Sequence, residues 1–248
     1  MRTYAIVNQK GGTGKSTIAH ATAAGLALRG FRVLAVDLDA QRNLTDVSTA
    51  QQGSTALNVL EGEARITDAI QETGNYSLLP GDAHLASADK RLDGTGAPYL
   101  LREALEEVAG RYDFCIIDTP GNLGILTTNA LTAADAAVIA TTPEYFSTGA
   151  LNSLAETIGT LRKYTNPGLN IAAVVVTNYD KRAALYRDMA GITEGMAKNL
   201  GARFYTIRRA VAVPEAATMQ QSIFAFAPKA GVTQDFNAYL DGLLEERK

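Results

Sequence analysis

The sequence predicts an α/β fold, a mostly parallel central sheet with helices on both of its faces. Short runs of Val, Ile, Leu and Ala recur at 4–7, 33–36, 77–79, 114–117, 136–140 and 171–176, with a seventh at 202–206. Several are apolar almost without a break, as strands covered on both faces are. Between them lie helical patterns at 16–29, 100–109, 149–163 and 183–200, followed by 214–221 and 233–246. Strands alternating with helices need crossover connections, and crossovers build parallel sheets. Ligands then bind beyond the carboxyl ends of the strands.

The first strand runs into Lys10, Gly11, Gly12, Thr13, Gly14, Lys15, Ser16 and Thr17, and an Ala-rich amphipathic helix follows. Glycines let backbone N–H groups curl around a phosphate, and the helix N-terminus adds partial positive charge. Lys15 is placed to reach the β/γ-phosphates and the Ser16 hydroxyl to meet Mg²⁺. A standard nucleotide loop has Gly five residues before Gly14; here that residue is Gln9, and a second lysine, Lys10, precedes the glycines.

The second strand ends in Asp37-Leu38-Asp39-Ala40-Gln41, two acids beside the loop and well placed for metal and water. Segments 51–62 and 93–98 are Gly-rich or polar and read as loops. The run 114–117 delivers Asp118, then Thr119-Pro120-Gly121-Asn122 and a helix start near Thr127. An apolar strand ending in Asp after a nucleotide loop suits a Mg²⁺ site reached through water.

Composition narrows the class. The 248 residues suffice for one domain, read as spanning 1–248, and 46% hydrophobic with 20% charged residues is the balance of a folded globule, not of a disordered chain. The single cysteine, Cys115, lies in an apolar run, which excludes an intrachain disulfide and fits a reducing compartment. Two histidines, His20 and His84, make no zinc cluster. No apolar run reaches membrane-span length, and the N-terminus lacks a secretory pattern. With the loop starting at residue 9, no DNA-reading domain is expected ahead of it. The net charge of −3 gives no global case for nucleic acid. From Arg162 to Arg209, however, nine Lys/Arg face three acids, so a local basic face is expected.

On these residues the chain resembles the ParA/MinD family of P-loop ATPases, whose deviant Walker A loop carries an extra lysine where Lys10 stands. The resemblance is closest to the small ParA/Soj-type partition ATPases. It implies ATP and Mg²⁺ as cofactors and a homodimer formed on ATP, with Lys10 reaching the partner's phosphates. It further implies that Asp39 orients the attacking water, that Asp37 supports the Mg²⁺ shell, and that Asp118 holds the ion. Ala40 stands where the family usually has Pro, and Gly121-Asn122 varies the family's second switch. Asn178 matches the family's base-contacting Asn, whose amide can pair with the adenine edge. Pro143 and Glu144 match a recurrent segment at the end of a strand. Arg209, with Arg208 beside it, falls on a position tied to non-specific DNA binding, although many relatives carry another Arg where Ala212 stands.

The function so implied is partition of a plasmid or chromosome with a ParB-like adaptor, in the cytoplasm and on the nucleoid when ATP is bound. The alternatives are positioning of a protein cargo and, ranked lower, a membrane-associated MinD-like role. The latter needs a basic amphipathic C-terminal helix, whereas 234–248 carries Asp235, Asp241, Glu245 and Glu246 against Arg247 and Lys248. An iron–sulfur carrier of the same fold needs cluster cysteines from each subunit, and the lone cysteine in an apolar strand argues strongly against it.

Overall fold

The computed structural model describes residues 1–144 and 147–245, the side chains of 147 and 148 excepted. Tyr145, Phe146, the expected helix end at 246 and the pair Arg247 and Lys248 lie outside the described residues. Strand β1 (Arg2–Val7), helix α1 (Lys15–Leu28) and strand β2 (Val33–Asp37) form the first crossover. Short pieces follow: α2 (Asn43–Val47), α3 (Ala56–Leu60), α4 (Ile66–Ala69), β3 (Gln71–Glu72), β4 (Ser77–Leu79), α5 (Ala88–Arg91) and α6 (Leu100–Glu106). The second half is more regular: β5 (Phe114–Asp118), α7 (Ile125–Ala133), β6 (Ala136–Thr141), α8 (Ser147–Tyr164), β7 (Asn170–Tyr179), α9 (Ala184–Asn199) and β8 (Arg203–Arg208). Helices α10 (Ala212–Thr218), α11 (Ile223–Phe226) and α12 (Gly231–Glu245) complete the chain.

The strands form one sheet in the order β3-β4-β2-β5-β1-β6-β7-β8, parallel except where β3 meets β4. Side chains alternate between its faces. Ala5 and Val7 join one core with Leu101, Leu105, Leu131, Leu154 and Ile158 of α6, α7 and α8. Tyr4 and Ile6 join the other with Ile18, Leu26, Phe236 and Leu240 of α1 and α12. Burial on both faces is the reason these strands are apolar throughout. Where α1 meets α12 the backbones approach closely, since a Cβ on Gly25 would lie 2.3 Å from Leu240 Cδ1.

Two readings are corrected. Segment 51–62 is not all loop: Ala56, Leu57, Val59 and Leu60 are buried on α3, whose start is a capping box between Thr55 and Asn58. Gly53 and the glutamines before it mask that apolar pattern. The helix expected at 214–221 begins earlier, at Ala212. Pro214 sits in its first turn, where the missing N–H would have no intrahelical partner. Among the described residues no helix is long and apolar enough to cross a membrane.

Candidate nucleotide site

Strands β2, β5 and β1 are neighbours, and their carboxyl ends carry the expected chemistry. Asp37 pairs in register with Asp118, and Asp118 with Ile6, one residue short of the end of β1. The loop that follows β1 is pinned to the neighbouring strands. The Asn8 amide donates to the Ala140 carbonyl and its oxygen accepts the Lys10 N–H (3.1 Å). The Thr177 hydroxyl donates to the Thr13 carbonyl (2.9 Å). Gly12 and Gly14 adopt φ of 74° and 82°, a region open to Gly at no steric penalty. Gly14 caps α1 in that conformation, and a Cβ there would press Thr177 Cγ2 at 3.1 Å. Gly121, after β5, lies against the loop, its Cβ position 3.3 Å from the Gly11 nitrogen.

Lys15 is buried, and its ammonium donates to the Lys10 carbonyl (3.4 Å). Burial lowers its pKa, while the charges of Asp118 and Asp39 oppose the drop. A desolvated ammonium under a cradle of N–H groups is a receptor for an anion. Asp118 is fully buried, and among the described residues neither of its oxygens closes a hydrogen bond of good geometry, although the Ser16 hydroxyl lies near enough to favour its charge. Burial drives its carboxyl well above the usual range and Asp37 adds to the rise, whereas Ser16 and Lys15 oppose it. Such a group is expensive unless something charged completes it. An ion that keeps its own water shell, held by carboxylate and hydroxyl oxygens, fits this donor set.

Asp37 is arranged differently. Its Oδ1 accepts the Asp39 N–H (3.0 Å), and its Oδ2 accepts the Thr45 N–H (2.8 Å) and hydroxyl (2.6 Å). Burial raises its carboxyl to about 6 against the pull of those bonds. The geometry makes Asp37 the frame of the loop that carries Asp39 and leaves Asp118 with the open oxygens. Asp39 is half-buried and caps that loop by accepting the Gln41 N–H (2.9 Å). Lys15, Ser16, Asp37, Asp39 and Asp118 are therefore brought together. Thr45, Asn8 and Thr177, which hold the site in shape, carried no signal in the sequence.

The remaining expected residues are placed as follows. Lys10 is half-exposed and forms an ion pair with Glu144 of its own chain. Pro143 follows β6 and Asn178 is the penultimate residue of β7, so both stand at the carboxyl ends of adjacent strands. Asn178 is exposed and left-handed, with φ of 52°. Arg208 is engaged in a two-pronged pair with Asp235 of α12, both contacts at 2.7 Å. Arg209 is exposed and makes no ion pair among the described residues, although it lies near enough to Asp180 to help depress that carboxyl. Of the nine cations expected on a basic face, Arg182, Arg203 and Arg208 are paired with acids, which thins that face.

A glycine loop between strand and helix, a buried lysine and a buried acid at the end of a neighbouring strand define a P-loop nucleotide-binding protein. Comparison with known proteins agrees: residues 1–171 match the family described as "AAA domain". The chromosome partitioning protein ParA of Caulobacter vibrioides is 36% identical over 246 residues, 95% of this chain and 91% of the relative. The sporulation initiation inhibitor protein Soj of Bacillus subtilis is 35% identical over 96% of this chain and 94% of its own. A solved structure of cobyrinic acid a,c-diamide synthase from Mycobacterium smegmatis, with bound ATP analog and magnesium, superposes with a TM-score of 0.88 at 30% identity over 100% of this chain and 96% of that one. The chain belongs to the ParA/MinD family of P-loop ATPases.

Proposed function

We propose that this chain is a Mg²⁺-dependent ATPase whose 248 residues act as one domain and drive partition of a plasmid or chromosome. With ATP bound, two copies pair face to face, bind DNA without reading sequence, and release it after hydrolysis stimulated by a ParB-like adaptor. The setting is the cytoplasm, on the nucleoid in the ATP state. The observation that most supports the reading is the fully buried Asp118 carboxyl, which closes no hydrogen bond of good geometry among the described residues and faces Ser16 and Lys15 alone as groups that favour its charge.

In this reading the N–H groups of the loop and the Lys15 ammonium bind and orient the phosphates. Mg²⁺, held by Ser16 and through water by Asp118, supplies charge neutralisation at the phosphates. Asp39 orients the attacking water, and Asp37 fixes Asp39 through its backbone N–H. Asn178 and Pro143 meet the base. Positioning and electrostatics supply most of the catalysis in phosphoryl transfer, so the accuracy of this frame sets the rate. Arg209 makes phosphate contacts with DNA, which need cations within reach and no base readout.

The reading is tested in two steps. Lys15→Ala is expected to weaken ATP binding by at least about 100-fold, and Asp39→Ala to bind ATP normally with turnover lost. Normal ATP affinity in the first variant, or unchanged turnover in the second, removes the assigned role. Binding to random-sequence duplex DNA is then measured with ATP, with ADP and without nucleotide across a salt series. ATP-dependent binding that falls steeply with salt, with a slope reduced by about 1 in Arg209→Ala, supports the partition reading. Absence of binding in every state transfers the same ATPase cycle to a protein or membrane surface.

A further inference from the structure

Backbone strain in this chain is concentrated beside the candidate site. Among the described residues four that are not Gly have positive φ: Arg42 (59°), Thr49 (58°), Gln220 (51°) and Asn178. The first two flank α2, the five-residue helix just after Asp39. The third follows α10, some 170 residues away in sequence, yet its side-chain amide donates to the Asp46 carbonyl of α2 (2.8 Å). Strained backbone persists only where surrounding contacts determine it, and it gathers in switching segments.

Helix α2 is held at both ends by different parts of the fold. On the nucleotide side Thr45 grips the Asp37 carboxylate, and its hydroxyl also accepts the Gly81 N–H (2.9 Å). Gly81 cannot be larger, since a Cβ would lie 2.9 Å from the Asp37 carbonyl oxygen. At the far end the Ser48 hydroxyl donates to the Leu44 carbonyl (2.6 Å) and meets the Tyr76 hydroxyl (2.6 Å). Tyr76 in turn meets His20 Nδ1 of α1 at 2.7 Å. The bond from Gln220 satisfies one of the carbonyls that the C-terminus of a helix leaves open, and it ties α2 to the segment that begins at Arg208 and Arg209.

We infer that α2 is a mechanical link between the phosphate side of the site and the Arg209–α10 segment, and that Gln220 is the positioning residue that transmits its movement. Any displacement of the Asp39 loop on nucleotide binding pulls on Asp37 and Thr45, which carry α2. The Asp46 carbonyl moves with it, and Gln220 passes the shift to the end of α10. The link rests on the proposed nucleotide reading and assigns the regulation of the proposed DNA surface. It needs no continuous wire through the core, only one strained element that both sites bias.

Hydrogen exchange of the full chain, without nucleotide and with Mg-ATP, tests the link. In the wild type, amides in both 38–47 and 209–219 are expected to slow at least about threefold with Mg-ATP. Gln220→Met keeps side-chain length and removes the donor; its 38–47 response should persist while the 209–219 response vanishes. Gln220→Lys, which restores a donor, should recover it. A merely structural contact would lower the melting temperature and leave the nucleotide response in place. A Gln220→Met chain with the wild-type response overturns the link, as does a wild type that responds at 38–47 alone. A wild type that binds no ATP overturns the nucleotide reading and the link with it. A wild type that responds at 209–219 but binds no DNA supports the link and overturns only the DNA reading.

Discussion

His20 shows how one side chain couples burial to pH. It is packed beneath α2, its Nδ1 is bonded to Tyr76, and its buried Nε2 closes no hydrogen bond of good geometry among the described residues, although the Gln221 backbone is near enough to favour the charged ring. Burial pushes the imidazole down from 6.5 to about 4. The unfolded chain then takes up a proton that the folded chain refuses, so the contribution is complete above pH 6.5 and is lost as pH falls toward 4. The loss amounts to about 3 kcal/mol. Urea unfolding of the nucleotide-free chain between pH 7 and 4.5 should show a shallower decline for His20→Asn than for the wild type; parallel curves would contradict this. Asp118 presents the opposite trade. Its carboxyl is costly to bury in the charged form, which makes Asp118→Asn a stabilising change of about 1 kcal/mol without nucleotide. The same change should erase the rise in melting temperature given by Mg-ATP, and a variant that keeps that rise would remove Asp118 from ion binding.

At the level of elements, α12 packs on one face of the sheet, against α1 and the last strand, β8. The approach is tight: a Cβ on Gly242 would fall 1.6 Å from the Tyr205 hydroxyl, whose ring packs edge-on against Tyr239. Gly242→Ala must displace Tyr205, and overpacking of this kind costs about 1–3 kcal/mol. Denaturant unfolding should report that loss, whereas Gly191→Ala on the open face of α9, with nothing within 4 Å of its Cβ, should be neutral or stabilising. These contacts also show what was legible in advance. Strands β1, β5 and β7 were legible because burial on both faces writes an unbroken apolar run. The places of the glycine loop, Asp39 and Asp118 beyond neighbouring strands were legible because each directly follows or ends an apolar run. Helices α2 and α3 were not, since five residues carry too little periodicity and α3 is announced only by Thr55 and Asn58. Thr45, Gln220 and the Asp235 partner of Arg208 act across the chain, and no local pattern encodes such contacts.

For the whole molecule the open matter is how two copies meet. In the proposed dimer Lys10 reaches the phosphates of the other copy, yet in this chain its ammonium is held by Glu144. Pairing must therefore exchange one carboxylate partner for a phosphate. The two side chains are 52% and 49% exposed, so the contact being given up is a surface ion pair, worth about 0–1 kcal/mol. The phosphate contact formed is more strongly charged and shielded from water between two proteins, where electrostatic interaction is stronger. Exchange thus favours the dimer only when the triphosphate is present, and Glu144 acts as a weak brake. Because both copies give up the pair, Glu144→Ala should lower the protein concentration needed for ATP-dependent dimerisation by no more than about 30-fold. Lys10→Ala should abolish that dimerisation while leaving ATP binding by the monomer close to normal. Sedimentation velocity with ATP in an Asp39→Ala background, where turnover is expected to be lost, separates these effects. A Lys10→Ala chain that still pairs on ATP would place the bridging contact elsewhere. A Glu144→Ala chain that pairs less readily would make Glu144 part of the interface and no brake.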